Sequence, residues 1–133
     1  MKKGIILACL VLLGAVLSCA TTQPISQSDL PDLKGKWKGF YQDRVTTTYS
    51  QPVELEIEGF KDLTVKGKIT FGHADRPSTS FPFYGKIENG KFIFSWQGGQ
   101  YIDLGLRKGD KLKLEGNYRI QQWEGTISLE KVR

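Results

Sequence analysis

Val53-Glu54-Leu55-Glu56-Ile57-Glu58 places three aliphatic side chains on one face of an extended strand and three carboxylates on the other. A helix would scatter those two sets around its circumference, whereas a strand separates them. Runs of the same kind recur near 36–43, 63–71, 81–87, 91–97, 101–107, 111–118 and 123–132, and helical spacing is almost absent after Leu33. The alternation therefore predicts eight strands. Asn89-Gly90, Gly98-Gly99 and Gly109-Asp110 carry the residues of tight reversals. Short turns make successive strands antiparallel neighbours in an up-and-down order. Eight such strands close into a barrel and leave no sheet edge exposed. The fold class expected is all-β, an eight-stranded antiparallel up-and-down barrel.

A second regularity runs through the strands. Apolar-x-Gly-x-apolar appears as Trp37-Gly39-Tyr41, Val65-Gly67-Ile69, Phe83-Gly85-Ile87, Leu114-Gly116-Tyr118 and Trp123-Gly125-Ile127. Each glycine shares a face with its apolar flanks. Two readings remain open: sharp coiling of strands around a small barrel, or room left for something inside it.

The connections separate by end. Gly59 to Asp62, Glu88 to Lys91 and Lys108 to Asp110 read as tight turns at one rim. Arg44 to Pro52 and Gly72 to Ser80 are long and share the opposite rim with 97–100 and 119–122. The inward phase is mainly aliphatic near the tight turns, with Trp37 and Phe92 among Ile57, Val65, Ile87, Leu112, Ile127 and Leu129. Near the long loops it is aromatic: Tyr41, Phe71, Phe81, Trp96, Tyr118 and Trp123. These six side chains either plug the barrel or line a pocket for an apolar or amphipathic small molecule. Thr46 to Tyr49 and His73 to Arg76 would form the lip, with Arg76 as the cation for an acidic head group. Strand 6 fits either phase. Ile102, Leu104 and Leu106 are expected inside, and the opposite phase would bury Asp103 and Arg107.

Ahead of the strands stands a different kind of segment. Lys2 and Lys3 precede a run of fourteen residues without charge, Gly4 to Leu17, and Ser18-Cys19 closes it. This is the layout of a secretory signal, and it is shorter than the roughly 20 residues a membrane-spanning helix needs. Val16-Leu17-Ser18-Cys19 resembles the bacterial lipobox, with Leu17 the one position where a smaller residue is more usual. The resemblance implies cleavage before Cys19, lipid on that cysteine and attachment to a membrane. Ala20 after the cysteine is not the aspartate that retains many such proteins at the inner membrane, so the outer membrane is implied. The expected organisation is 1–18 signal, 19–32 lipidated tether and 33–133 barrel. Ala20 to Asp32, polar with two prolines, reads as flexible.

Cleavage would leave 115 of the 133 residues and lower the formal charge from +5 to +3. Cys9 leaves with the signal and Cys19 becomes the anchor, so the folded part keeps no thiol for disulfides, catalysis or metal. No basic cluster suggests nucleic acid. His73 is the single histidine, in a polar loop beside Asp75 and Arg76, and it reads as solvated. No enzymatic activity, metal or cofactor is expected.

Gly35-Lys36-Trp37 resembles the Gly-x-Trp opening of lipocalins, and of avidin-like barrels. The resemblance implies a calycin-like barrel whose Trp closes the base under a basic residue, here Lys131 or Arg133. There is no helix after strand 8 and no Thr-Asp-Tyr motif, so no ligand carries over. Three functions stay open: a lipid-anchored carrier or sensor of a small apolar molecule, a structural or assembly lipoprotein docking an envelope partner, and a lysozyme-type inhibitor.

Overall fold

The computed structural model describes residues 22–44, 50–96 and 98–133, the Trp96 side chain excepted. The signal, Cys19 and the lip residues Thr46 to Tyr49 lie outside the described residues. Eight strands form a closed antiparallel barrel in chain order: β1 Gly35–Asp43, β2 Ser50–Lys61, β3 Thr64–Phe71, β4 Thr79–Glu88, β5 Lys91–Trp96, β6 Gln100–Arg107, β7 Lys113–Ile120 and β8 Trp123–Lys131. Closure comes from β1 pairing with β8, from Trp37 opposite Lys131 to Asp43 opposite Gly125. The alternation read from sequence becomes the inside and outside of this wall.

Two strands depart from their expected bounds. β2 runs on to Lys61 through a bulge between Ile57 and Gly59. The extra residue shifts the phase, so Phe60 joins Ile57 on the inner side and stacks on Phe92 at 6.2 Å. β7 starts only at Lys113, which makes the expected tight turn at Lys108 to Asp110 a five-residue connection. Asn89 and Gly90 both take the positive φ that a two-residue hairpin needs, but Gly109 and Asp110 do not. The other rim carries the 44–49 and 72–78 connections, as expected. β6 takes its aliphatic phase, with Ile102, Leu104 and Leu106 buried and Asp103 and Arg107 outside.

The inner glycines are explained by contact. A methyl on Gly116 would sit 1.7 Å from the Asp103 carbonyl oxygen, and on Gly39 1.8 Å from that of Ser128. At Gly125 the obstacle is the Gln42 carbonyl oxygen at 1.9 Å, and at Gly85 the Phe94 ring at 2.1 Å. At Gly67 both a carbonyl, of Glu56, and the Phe83 ring intrude. Neighbouring backbone and rings therefore occupy the space these glycines leave. Phe83, Phe92 and Phe94 pack inside the barrel, the Phe94 ring centroid lying 4.3 Å from that of Phe83 and 5.9 Å from that of Phe92. Of the two readings of the glycines, close strand approach holds, and the room goes to rings.

Residues 20–32 were expected to be a flexible tether, but from Gln23 onward the segment is docked on the base. The Gln23 amide donates to the Leu106 carbonyl at 2.7 Å and the Ile25 amide to that of Gly90 at 2.8 Å. These carbonyls lie where β5 has not yet begun to pair with β6, so the strap completes an otherwise open stretch. Ile25 is buried in the core. A 3₁₀ turn, Gln27–Asp29, then leads into a one-turn helix, α1 Leu30–Leu33, and Leu33 is fully buried beneath the barrel. One apolar side chain plus backbone pairing is enough here because the barrel supplies the other half of each contact.

The outer wall is charged, with pairs such as Lys38–Glu54, Lys66–Glu58 and Lys86–Glu88. Exposed pairs of this kind add little stability. They do fix the solvent. A barrel spanning a bilayer would turn its apolar side outward, and this one turns it inward. No helix among the described residues is long and apolar enough to cross a membrane.

Candidate functional site

Three of the six aromatics expected at the mouth meet inside the barrel. Tyr41 lies edge-on to Phe71 at 5.2 Å and to Tyr118 at 5.8 Å, and Phe71 and Tyr118 are 6.4 Å apart. β1, β3 and β7 each supply one inward ring near the rim. Phe71 and Tyr118 are buried. These three rings pack against one another at the mouth end of the interior. Among the described rings Phe81 meets Phe71, at 6.4 Å, and it is 38% exposed. Trp123 is 46% exposed and stands on the lip. The side chain of Trp96 lies outside the described residues.

Above the rings is a polar tie that sequence reasoning did not find. The Tyr41 hydroxyl is 2.8 Å from the Gly72 carbonyl, 3.1 Å from Gln51 Oε1 and 3.3 Å from His73 Nδ1. A phenol has one proton, and the shortest contact assigns it to Gly72. A proton on Nδ1 lets His73 donate to the phenolic oxygen, while Nε2, 3.0 Å from Thr79 Oγ1, accepts from that hydroxyl. His73 was expected to be solvated; instead it is half-buried and ties the 72–78 connection to β1 and β4. The one available signal was its position, since a loop histidine beside an inward tyrosine is spatially near only after the barrel closes.

Electrostatics agree with a closed mouth. Burial is the main cause holding the His73 imidazole below its ordinary value, and the Arg76 charge acts in the same direction. Burial also raises the Tyr41 phenol, and pushes Tyr118 up to about 12. All three are neutral near pH 7. Arg76 is exposed on the loop, close enough to act on His73 and Tyr41 through its charge. No group of three or more His, Cys, Asp or Glu among the described residues is placed to hold a metal ion.

The base carries the Trp contact that the Gly-x-Trp opening implied. Trp37 is fully buried, its indole N–H donates to the Leu33 carbonyl at 2.9 Å, and Lys131 Nζ lies 5.3 Å from its ring centroid. Lys131, not Arg133, fills that role, and its ammonium donates to the Asp32 and Lys34 carbonyls. Shallow grooves flank Phe40 on the outer wall, one of them reaching Tyr41, Gln42 and Ser50 near the mouth rim; Phe40 is 60% exposed.

No family model matches the chain, and no curated protein does. Among solved structures it is similar to a redesigned β-barrel, with a TM-score of 0.55 at 11% identity over 85% of this chain and all of that one. A likeness at that identity shows the fold: a small closed barrel.

Proposed function

We propose that this protein is a lipid-anchored, non-catalytic lipoprotein of the cell envelope, whose solid barrel presents the mouth rim as a docking face for an envelope partner. The observation that carries the docking reading over the carrier is the filled interior. Rings and neighbouring backbone take up the space at the inner glycines, and Tyr41, Phe71 and Tyr118 pack together at the mouth. Among the described residues, the exposed large apolar side chains at that end are Trp123, Phe81 and Tyr101. Large apolar side chains at a surface serve recognition when they cluster beside polar groups. The anchor is supported by the signal layout and by the position of Cys19.

Two measurements test this reading. Detergent phase partitioning is expected to place the wild type in the detergent phase and a Cys19→Ala variant outside it as an unlipidated or uncut form. An aqueous wild type would refute the anchor. A photocrosslinking residue at position 123 is expected to give a discrete adduct in cells, while one at the wall position 84 gives none. Equal or absent adducts at both would refute the docking face. A second reading, an amphipathic molecule held on the lip by Trp123, Phe81 and Arg76, is favoured by the exposure of those side chains alone.

A further inference from the structure

We infer that the base of the barrel is itself a membrane contact, a basic face that settles on anionic lipid headgroups and holds the molecule upright. The inference rests on the lipoprotein reading, because the lipid on Cys19 delivers the base to the surface.

Charge is distributed unevenly along the barrel axis. Without Lys2 and Lys3, seventeen basic and fourteen acidic side chains remain. At the mouth Arg44, Arg76 and Arg119 are matched by Asp43, Asp75 and Glu124. Along the wall the match is nearly one to one. Lys38, Lys66, Lys86, Lys91 and Arg107 form ion pairs with Glu54, Glu58, Glu88, Asp103 and Glu115. Lys36 and Lys68 both stand opposite Glu56, on its two sides in the sheet. Two of the excess of three therefore lie at the base.

Part of that excess is free to meet a partner. Lys108 and Lys111 are held by Asp29 and Glu130, and Lys131 is folded over Trp37. Lys34, Lys61 and Arg133 are exposed and make no ion pair among the described residues, with the exposed carboxylates Asp32, Asp62 and Asp110 on the same face. Two apolar side chains stand among them, Leu63 at 44% and Val132 at 37% exposure. Cations around a few exposed aliphatics suit the headgroup boundary of a bilayer, where charge meets phosphate and the aliphatic tips enter the acyl edge.

The leash sets the distance. Thr22 lies against Gly105 on the outer side of β6, one residue before the Gln23–Leu106 hydrogen bond at the base. Cys19 is three residues upstream, a reach of about 10 Å at full extension. The screening length at physiological salt is about 8 Å, so even at full extension the base sits only about one screening length from the surface. The mouth stands a strand length of roughly 25 Å further out. A docked strap thus turns a flexible attachment into an oriented one.

The test uses the full lipidated protein, floated with phosphatidylcholine vesicles with and without phosphatidylglycerol. With Cys19 acylated, the folded part has no other thiol, so a cysteine at Val132→Cys or at Arg76→Cys takes a single fluorophore. Quenching by a lipid-phase acceptor reads the height of each end. On anionic vesicles the 132 label is expected to be quenched more than on neutral ones, by about twofold, and salt near 0.5 M is expected to remove the difference. The 76 label should respond to neither. Lys34→Glu combined with Lys61→Glu and Arg133→Glu, exposed side chains with no packing role, should abolish the lipid preference while the urea midpoint stays unchanged. An anchored wild type whose 132 label ignores lipid charge and salt overturns the inference and leaves the anchor standing. A wild type that fails to float overturns the lipoprotein reading and this inference with it.

Discussion

Trp37 shows how much one residue can hold. Its indole is fully buried, its N–H is satisfied by Leu33, and Lys131 covers its face. Trp37→Ala removes the largest buried side chain and orphans the strap beneath it, so a loss of about 3–5 kcal/mol is expected in urea unfolding. An unchanged midpoint would place this ring outside the core. Gly85→Ala is the complementary probe. The added methyl meets the Phe94 ring at 2.1 Å, and displacing that ring is expected to cost about 1–3 kcal/mol. A tolerated alanine would mean that there is room after all. His73 gives a pH signature. Its folded pKa lies below the ordinary 6.5, chiefly through burial, so the unfolded chain binds the proton first as pH falls. The stability it contributes is intact above pH 6.5 and declines as the pH drops through the folded value. His73→Gln is expected to flatten that part of the urea midpoint against pH, and an identical slope in the variant would remove His73 as its source.

Strands were legible because alternation is a local property. Val53 to Glu58 declares its two faces within six residues, and Asn89-Gly90 declares its turn within two. What reading by period misses is anything that depends on a partner far along the chain. The bulge in β2 that turns Phe60 inward leaves no mark except a broken count. The strap is a larger case. Its buried apolar side chain, Ile25, has no periodic neighbours, and its backbone partners are carbonyls of Gly90 and Leu106, more than sixty residues away. Composition therefore reads as a linker what the barrel folds as an element. Amide exchange distinguishes the two. The Gln23 and Ile25 amides are expected to exchange slowly, and Ile25→Ala is expected to release both. Free exchange of these amides in the wild type would restore the tether.

At the scale of the molecule, closure followed from eight short-turned strands, and the outward charge followed from the polar phase. The contents of the barrel did not. Six aromatics in phase at one rim are compatible with a pocket or a plug, a choice that depends on ring positions: among the described rings Tyr41, Phe71 and Tyr118 converge, while Trp123 stands on the lip. Glycines on the inner face were equally ambiguous, since the carbonyls and rings that fill their space belong to other strands. A filled barrel with a docking rim and a basic base assigns each end a surface role and leaves the interior to stability. The most direct check is equilibrium titration of the folded protein with a fluorescent apolar probe and with bacterial lipid extract, following tryptophan emission. A filled barrel gives no saturable change with either; saturable quenching at one ligand per chain, weakened by Phe71→Ala or Tyr118→Ala in a still-folded protein, would contradict it.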